Sequence, residues 1–496
     1  MRNIRGQRVE GHPRESGDQI PAFAGMTNPS VILSGAKDLT SLRFFVASLL
    51  RMTRVWLLRM TRVWPQNDKG KRHQPVVRAA ILAFATFAAL TTLATSAFAN
   101  NIQVSNISLQ NMDATAGTAE IKFDLTWENS FSGTDANSQA FFDRAWVFVK
   151  FWKSTWVAGT DPWKHATLTS GGTVTTYDAS AGMGISADGK GAFCKPGYNQ
   201  TLKWNFTAAA DGIVSTDTVQ VKVMAIEMVY IPTGAFYVGD GTTTSVTGQL
   251  RDGASNTALQ ITGEGALTLG GTSAGNLANN NAAGMATADD FNNTTTQTLA
   301  AAFPKGYNAF YIMKYEVSQG QYRDFLNALT STQANSRFPN SFNNYRHSIT
   351  RSGTPSVYYC DLNNNGVYNE STDGEWITCN YLSWADLVAY ADWAGLRPMT
   401  ELEFEKASRG GSPTNNAVAN EYAWGTATIA GSAYTLSNSG ANNEGIATNY
   451  STTANTGNCI YNATFYNPAR CGIFAANSSN TGRITSGGSY YGVMEL

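Results

Sequence analysis

Two helix-start signals follow each other closely within residues 379–411, CNYLSWADLVAYADWAGLRPMTELEFEKASRGG. Ser383 with Asp386, and Thr400 with Glu403, place a side-chain oxygen where the first helical turn has unpaired N–H groups. Behind Ser383, the residues Trp384, Leu387, Val388 and Ala391 recur at i, i+3, i+4 and i+7, which predicts a helix that buries this face. Gly395 suits the left-handed residue that closes a helix, and Pro398 stops the chain from running on before Thr400 restarts it. A third capped helix is expected behind Ser318 and Gln321, carrying Tyr322, Phe325, Leu326 and Leu329. Upstream the period changes to that of strands. Residues 119–125 (AEIKFDL), 145–151 (AWVFVKF), 202–206 (LKWNF) and 219–224 (VQVKVM) alternate or cluster apolar side chains between Gly, Asp and Asn. Such short strands predict an all-β sandwich of the immunoglobulin or fibronectin kind over residues 100–226. A strand, turn and strand are expected around Pro232-Thr233-Gly234, and another strand at 310–315. The stretch 240–302 is full of Gly, Thr, Asn and Ala, and is expected to be a surface loop or disordered insertion with no core of its own.

The first hundred residues read differently. Residues 1–70 are Arg-rich, lack periodicity and repeat LLRMTRVW in tandem; they read as upstream translation, with Met60 the nearest alternative start, or as a disordered basic tail. Residues 71–99 have the build of a secretory signal. Lys69, Lys71, Arg72 and Arg78 precede an apolar run from Ala79 to Leu93, and Ala97-Phe98-Ala99 offers small residues to a signal peptidase. The apolar run is shorter than the ~20 residues a membrane span needs, so cleavage after Ala99 and export to the periplasm, cell surface or medium are expected, with no stable span afterwards.

Export changes the charge balance. Residues 1–99 hold 14 Lys and Arg but 5 Asp and Glu, so the remainder has 21 basic and 31 acidic residues, net −10. An acidic chain of this kind is a poor ligand for nucleic acid or anionic membrane. All five cysteines lie in the exported part, where disulfides are permitted. Proximity in sequence suggests Cys360–Cys379 and Cys459–Cys471, with Cys194 left over. No C-x-x-C occurs, which argues against a thiolate zinc site.

The sharpest local chemistry is DLNNNGVYNESTD, residues 361–373. Oxygen-bearing side chains at Asp361, Asn363 and Asn365, then Gly366 and the carbonyl of Val367, match the first half of a calcium-binding loop. The twelfth position is Thr372 instead of Glu, so Glu370 or Asp373 would supply the further carboxylate. A plain Asn/Gly-rich hairpin tip is the other reading. In the β region, Trp146, Phe148, Phe151, Trp152, Trp156 and Trp163 read either as sandwich core or as a sugar-stacking platform.

The segment LSWADLVAYADWAGLRPMTELEFEKASRGG closely resembles the signature of the sulfatase-modifying factor family, to which the formylglycine-generating enzyme belongs. MVYIPTGAFYVGD (228–240), FYIMKYEVSQGQYRDFLN (310–327), YAWG (422–425) and GGSYYGVMEL (487–496) match further family segments in the same order. The resemblance spans 227–496 and implies an α+β, C-type-lectin-like fold with long irregular loops. It places Asn438–Thr456 where the enzyme has a calcium site, without assigning ligands. The enzyme's copper-binding cysteine pair follows a Gly-Asn-x-Trp-Glu motif that would come after Leu496, so copper is implied only with a restored C-terminal segment. The family's iron-dependent sulfoxide synthases use three histidines, and only His165 and His347 follow residue 99.

Three readings follow. The first is an exported binding or structural protein that keeps the fold without its redox chemistry, with a peptide, glycan or cell-surface protein as partner. The second is a formylglycine-generating oxidase acting on a protein cysteine, its catalytic segment lying beyond residue 496. The third is a remnant with unpaired strand edges, prone to aggregate.

Overall fold

The computed structural model describes residues 102–495 apart from 114, 128, 171–183, 208–210, 215, 242–248, 280–295, 411–418, 432, 462–467 and 476–481. The expected upstream segment, the signal and its cleavage site lie outside the described residues. Among those described, no helix is long and apolar enough to cross a membrane.

Among the described residues, nine strands precede residue 232: β1 (Gln103–Asp113), β2 (Thr118–Thr126), β3 (Ser132–Thr134), β4 (Ala140–Lys153), β5 (Lys164–His165), β6 (Leu168–Thr169), β7 (Ala192–Cys194), β8 (Gly197–Asn205) and β9 (Val219–Ile231). One antiparallel sheet has the order β1-β2-β8-β6. The other is built on β4 and β9, which pair from Phe142↔Tyr230 to Lys153↔Val219. Because side chains alternate across a strand, each of these two long strands serves two cores. Ala145, Val147, Val149 and Phe151 of β4, with Val221, Val223 and Ala225 of β9, pack on Ile121, Phe123, Leu202 and Trp204 of the first sheet. The opposite faces carry Trp146, Phe148, Met224, Ile226 and Met228 into a second cluster. The uninterrupted apolar runs in the sequence therefore mark strands buried on both sides.

The boundary expected between residues 226 and 227 falls inside β9. Its last four residues pair with Phe310–Met313 of the C-terminal half, so no linker separates the halves there. Strand β10 (Phe236–Val238) follows the expected turn. The stretch 240–302 departs from expectation. It forms β11 (Leu250–Asp252), β12 (Leu259–Ile261), β13 (Leu267–Leu269), β14 (Leu277–Asn279) and β15 (Gln297–Leu299), with β11-β14-β13-β15 in one sheet and β12 on β10. Phe236, Val238, Leu259, Ile261 and Leu277 close a small core over Leu402. Sparse large side chains suffice because each three-residue strand contributes one or two of them to the same side.

After β16 (Phe310–Met313) come α1 (Gln319–Leu326), α2 (Ser331–Arg337), β17 (Ile349–Ser352), β18 (Val357–Cys360), α3 (Trp384–Trp393) and α4 (Glu401–Arg409), and then β19 (Thr435–Ser437) and β20 (Gly445–Thr448). Ser318, Ser383 and Thr400 each form the expected reciprocal cap. Helix α2 has the same cap at Thr330 and Gln333, but it buries only Ala334 and so leaves no apolar period to read. Gly395 has φ of 70°, as its role at the end of α3 requires.

The face of α3 is rotated from expectation. Trp384 is 69 % and Leu387 37 % exposed, Val388 and Ala391 are half-buried, and the buried residues are Tyr390 and Trp393. Trp393 sits edge-on to Phe148 at 5.3 Å and to Phe325 at 5.5 Å. The indole N–H of Trp146 donates to Ala394 O at 2.8 Å. Aromatic edges and a hydrogen bond thus select the last turn of the helix over its aliphatic stripe.

Where β4, β9 and β16 meet, Lys314 is fully buried between Asp143 (2.6 Å) and Glu227 (2.7 Å), and also donates to Asn129 O at 2.6 Å. Burial opposes its charge, yet the two carboxylates outweigh that and hold the ammonium above its ordinary value. Burial raises Asp143 to about 6 despite Lys314, and Glu227 adds to the rise. Asp143 Oδ1 and Glu227 Oε2 have no hydrogen-bond partner. A Lys314→Met variant strands both carboxylates and should lose about 3–5 kcal/mol in urea denaturation; an unchanged midpoint would show that the ion cluster does not support the fold.

Lys150 on β4 donates to Trp393 O (2.6 Å) and approaches His165 Nδ1 at 2.9 Å. Burial, with Lys190 nearby, lowers it to about 7, against roughly 10.4 in the unfolded chain. Between those values the unfolded chain holds a proton that the folded one does not, so this residue makes stability rise with pH from about 7 to about 10. The cost of burying its charge is fully present below that window. Comparing melts of wild type and Lys150→Met across the window should show a gap that closes towards high pH. A gap constant with pH would assign Lys150 no titration on folding.

Candidate functional site

Strand β18 delivers the chain to Asp361, and the loop that follows closes on itself at its neck. Asn369 N–H donates to Cys360 O (2.9 Å), while Asn369 Oδ1 accepts from Cys360 N–H (3.0 Å) and from Arg323 of α1 (2.9 Å). Within the loop, Asp361 Oδ1 accepts from Asn365 N–H at 3.1 Å and Oδ2 from Gly366 N–H at 3.2 Å. Asn363 Oδ1 also accepts from Asn365 N–H (3.0 Å), and Asn365 Oδ1 from Val367 N–H (2.7 Å). Asn364 and Gly366 have positive φ, 54° and 76°. Open space surrounds the missing Cβ of Gly366, so its glycine serves the bend and not a close contact. Val367 stands 56 % exposed at the tip.

The far side of the loop brings carboxylates. The Nδ2 groups of Asn365 and Asn363 donate to Glu370 Oε2 at 2.6 and 3.4 Å, and that of Asn363 also to Thr372 Oγ1 at 3.3 Å. Asp373 Oδ2 accepts from Glu370 N–H at 2.6 Å, and its Oδ1 has no partner although the residue is fully shielded from solvent. Desolvation raises Asp373 to about 6, and the charges of Asp361, Glu370 and Glu375 add to it over the opposing Glu370 N–H. Glu375 is itself bound by Arg323. The fold thus gathers Asp361, Asn363, Asn365 and Asp373 as the spacing suggests, and adds Glu370 as the hub of the amides and Asn369 as the clasp. Among the described residues, no three His, Cys, Asp or Glu side chains form a metal-binding group. The loop carries three carboxylates, Asp361, Glu370 and Asp373, beside its asparagines.

No disulfide joins any two of the five cysteines in this structure, so neither Cys360–Cys379 nor Cys459–Cys471 is bonded. Cys360 and Cys379 pack in one apolar cluster. The thiol of Cys379 is raised by burial and then by Cys360 and Cys471 as neighbours. Cys471 Sγ instead lies 3.4 Å from both Glu316 O and Thr378 Oγ1. Burial pushes Cys194 and Cys360 up to about 12 and Cys459 to about 11.

The β-region aromatics divide by face. Trp146, Phe148 and Phe151 are core. Trp152, Trp156 and Trp163 are half-buried, with Lys164 and Lys222 over the last two rings. A different aromatic surface is exposed on the C-terminal half: Tyr345 (62 %), Tyr381 (44 %), Trp384 and Leu387. Tyr345 and Tyr381 have ring centroids 6.5 Å apart, and Trp384 opens α3 three residues after Tyr381. Within 438–456, the Glu444 carboxylate is taken up by Arg346, by Gly440 N–H (2.6 Å) and by Arg470 N–H (2.9 Å).

Residues 214–475 match the family model described as the sulfatase-modifying factor enzyme 1-like domain. No curated protein and no solved structure matches the chain. The matched range begins ahead of β9 and includes both the 361–373 loop and the aromatic surface.

Proposed function

The chain belongs to the sulfatase-modifying factor enzyme 1-like family, and we propose that it is an exported member that binds a partner through an aromatic surface without oxidising it. The observation that carries this reading is the exposure of Tyr345, Tyr381, Trp384 and Leu387, three of them in and beside the family's signature helix. Large apolar side chains grouped at the surface are a common mark of an interaction site, and aromatic rings suit a peptide or the face of a sugar. On this reading the two-sheet N-terminal half is an immunoglobulin- or fibronectin-like sandwich that supports a C-type-lectin-like half. The partner is a peptide, glycan or cell-surface protein.

Glycan and peptide arrays probed with the full chain test this directly. Trp384→Ala and Tyr381→Ala should each weaken the strongest signals about tenfold or more, as loss of a central aromatic contact does. Copper-loaded protein offered a cysteine-containing sulfatase peptide and oxygen should yield no aldehyde reactive towards a hydrazide probe. Array binding indifferent to both substitutions, or aldehyde formation, overturns the reading.

Export also places Cys360 with Cys379, and Cys459 with Cys471, where the bridges expected from sequence would form. Protein recovered outside the cytoplasm with Asn100 as its amino terminus should then titrate one thiol in denaturant. Five thiols would remove both bridges.

A further inference from the structure

We propose that the loop from Asp361 to Asp373 binds a calcium ion through side-chain oxygens of Asp361, Asn363, Asn365, Glu370 and Asp373. The proposal is independent of the binding role above. Asp361 Oδ1 and Asn363 Oδ1 converge on Asn365 N–H, and Asn365 Oδ1 meets Val367 N–H, where the backbone bends at Asn364 and Gly366. Across from them, Glu370 Oε2 is held by the two asparagine amide N–H groups. Each asparagine oxygen keeps a second lone pair beside its backbone N–H bond, and a cation would replace the amide N–H groups in neutralising Glu370.

A second, separate observation points to a ligand. Asp373 is completely buried just below the surface, and its Oδ1 accepts no hydrogen bond while Oδ2 accepts one from Glu370 N–H. A carboxylate oxygen shielded from water is costly unless a donor or cation meets it. Its charged neighbours include Asp361 and Glu370, so the nearby charge does not supply that partner; the three carboxylates do not close on one point in this structure, and a cation would draw them together. The neck is already built, since Asn369 joins Cys360 to Arg323.

The chemistry of the donors selects the ion. All are hard oxygens, without sulfur or imidazole, which disfavours zinc and copper. Neutral amides mixed with carboxylates on an irregular loop suit the larger, geometrically tolerant calcium better than magnesium.

The test is calcium titration of the chelator-treated full chain by calorimetry, with a parallel thermal melt. Wild type should bind calcium and melt higher in it, while magnesium at the same concentration gives no shift. Asp373→Asn keeps the shape but removes the charge, and should weaken calcium binding by about tenfold or more. Asn365→Ala, at an exposed position, should do the same with an unchanged melt in chelator, and it carries the comparison if Asp373→Asn does not fold. Calcium binding equal in wild type and Asn365→Ala, or a wild-type melt indifferent to calcium, would overturn the site.

Discussion

A buried ammonium decides how the two halves of this protein meet. Lys314 leaves β16 and reaches Asp143 on β4 and Glu227 on β9, all three without solvent exposure. Asp143 and Ala145 share a face of β4, and Glu227 lies opposite Ala145 on β9. A slip of one residue between these strands would carry a carboxylate to the other core and strand the lysine. One favourable arrangement therefore sets register across the sheet from which both cores are built. Its energetic gain is modest, because two carboxylates share one cation and two of their oxygens go unpartnered. Its effect on alternatives is larger, since any mispaired form buries a lone charge.

The shared sheet explains the chain's behaviour on either side. β4 and β9 present one face to the β1-β2-β8-β6 sheet and the other to α1 and α3. The N-terminal half is thus the floor on which the family domain rests. Helix α3 docks by its C-terminal end, where Trp393 and Ala394 meet Phe148 and Trp146. That docking leaves Trp384 and Leu387, the start of the same helix, facing outward. The exposed aromatic surface is in this sense a product of how the helix is anchored.

The 361–373 loop follows a different physical rule. It has little apolar content, and its shape comes from side-chain oxygens capping the backbone N–H groups of Asn365, Gly366 and Val367. Glycine and asparagine tolerate the left-handed conformations involved, which is why they fill the segment. The loop's one buried side-chain oxygen without a partner belongs to Asp373, whose carboxylate is drawn beneath the surface. An unpartnered oxygen and local order coexist there because Asn369, anchored by Arg323 from outside the loop, holds the neck.

Much of this was legible in one dimension. Capping boxes at Ser318, Ser383 and Thr400 are local chemistry, and each helix starts where its cap stands. The long strands announced themselves by apolar side chains, and the oxygen spacing of Asp361, Asn363 and Asn365 marked the loop. Other features depended on partners remote in sequence. Local periodicity on α3 marked an aliphatic stripe, but Phe148 and Trp146, more than 200 positions away, chose the turn that is buried. The run 240–302 looked too poor for a core because its few leucines lie far apart until short strands bring them together over Leu402. No local signal reveals that β9 belongs to both halves, since a strand's second face has meaning only once something packs on it. Sequence by itself determined where elements begin and which loop is rich in oxygen, because caps and spacing act within a few residues. Tertiary structure alone decided which faces are buried, that Lys314 finds two carboxylates, and that Asp373 keeps an oxygen unpaired, because burial and charge depend on neighbours that only folding supplies.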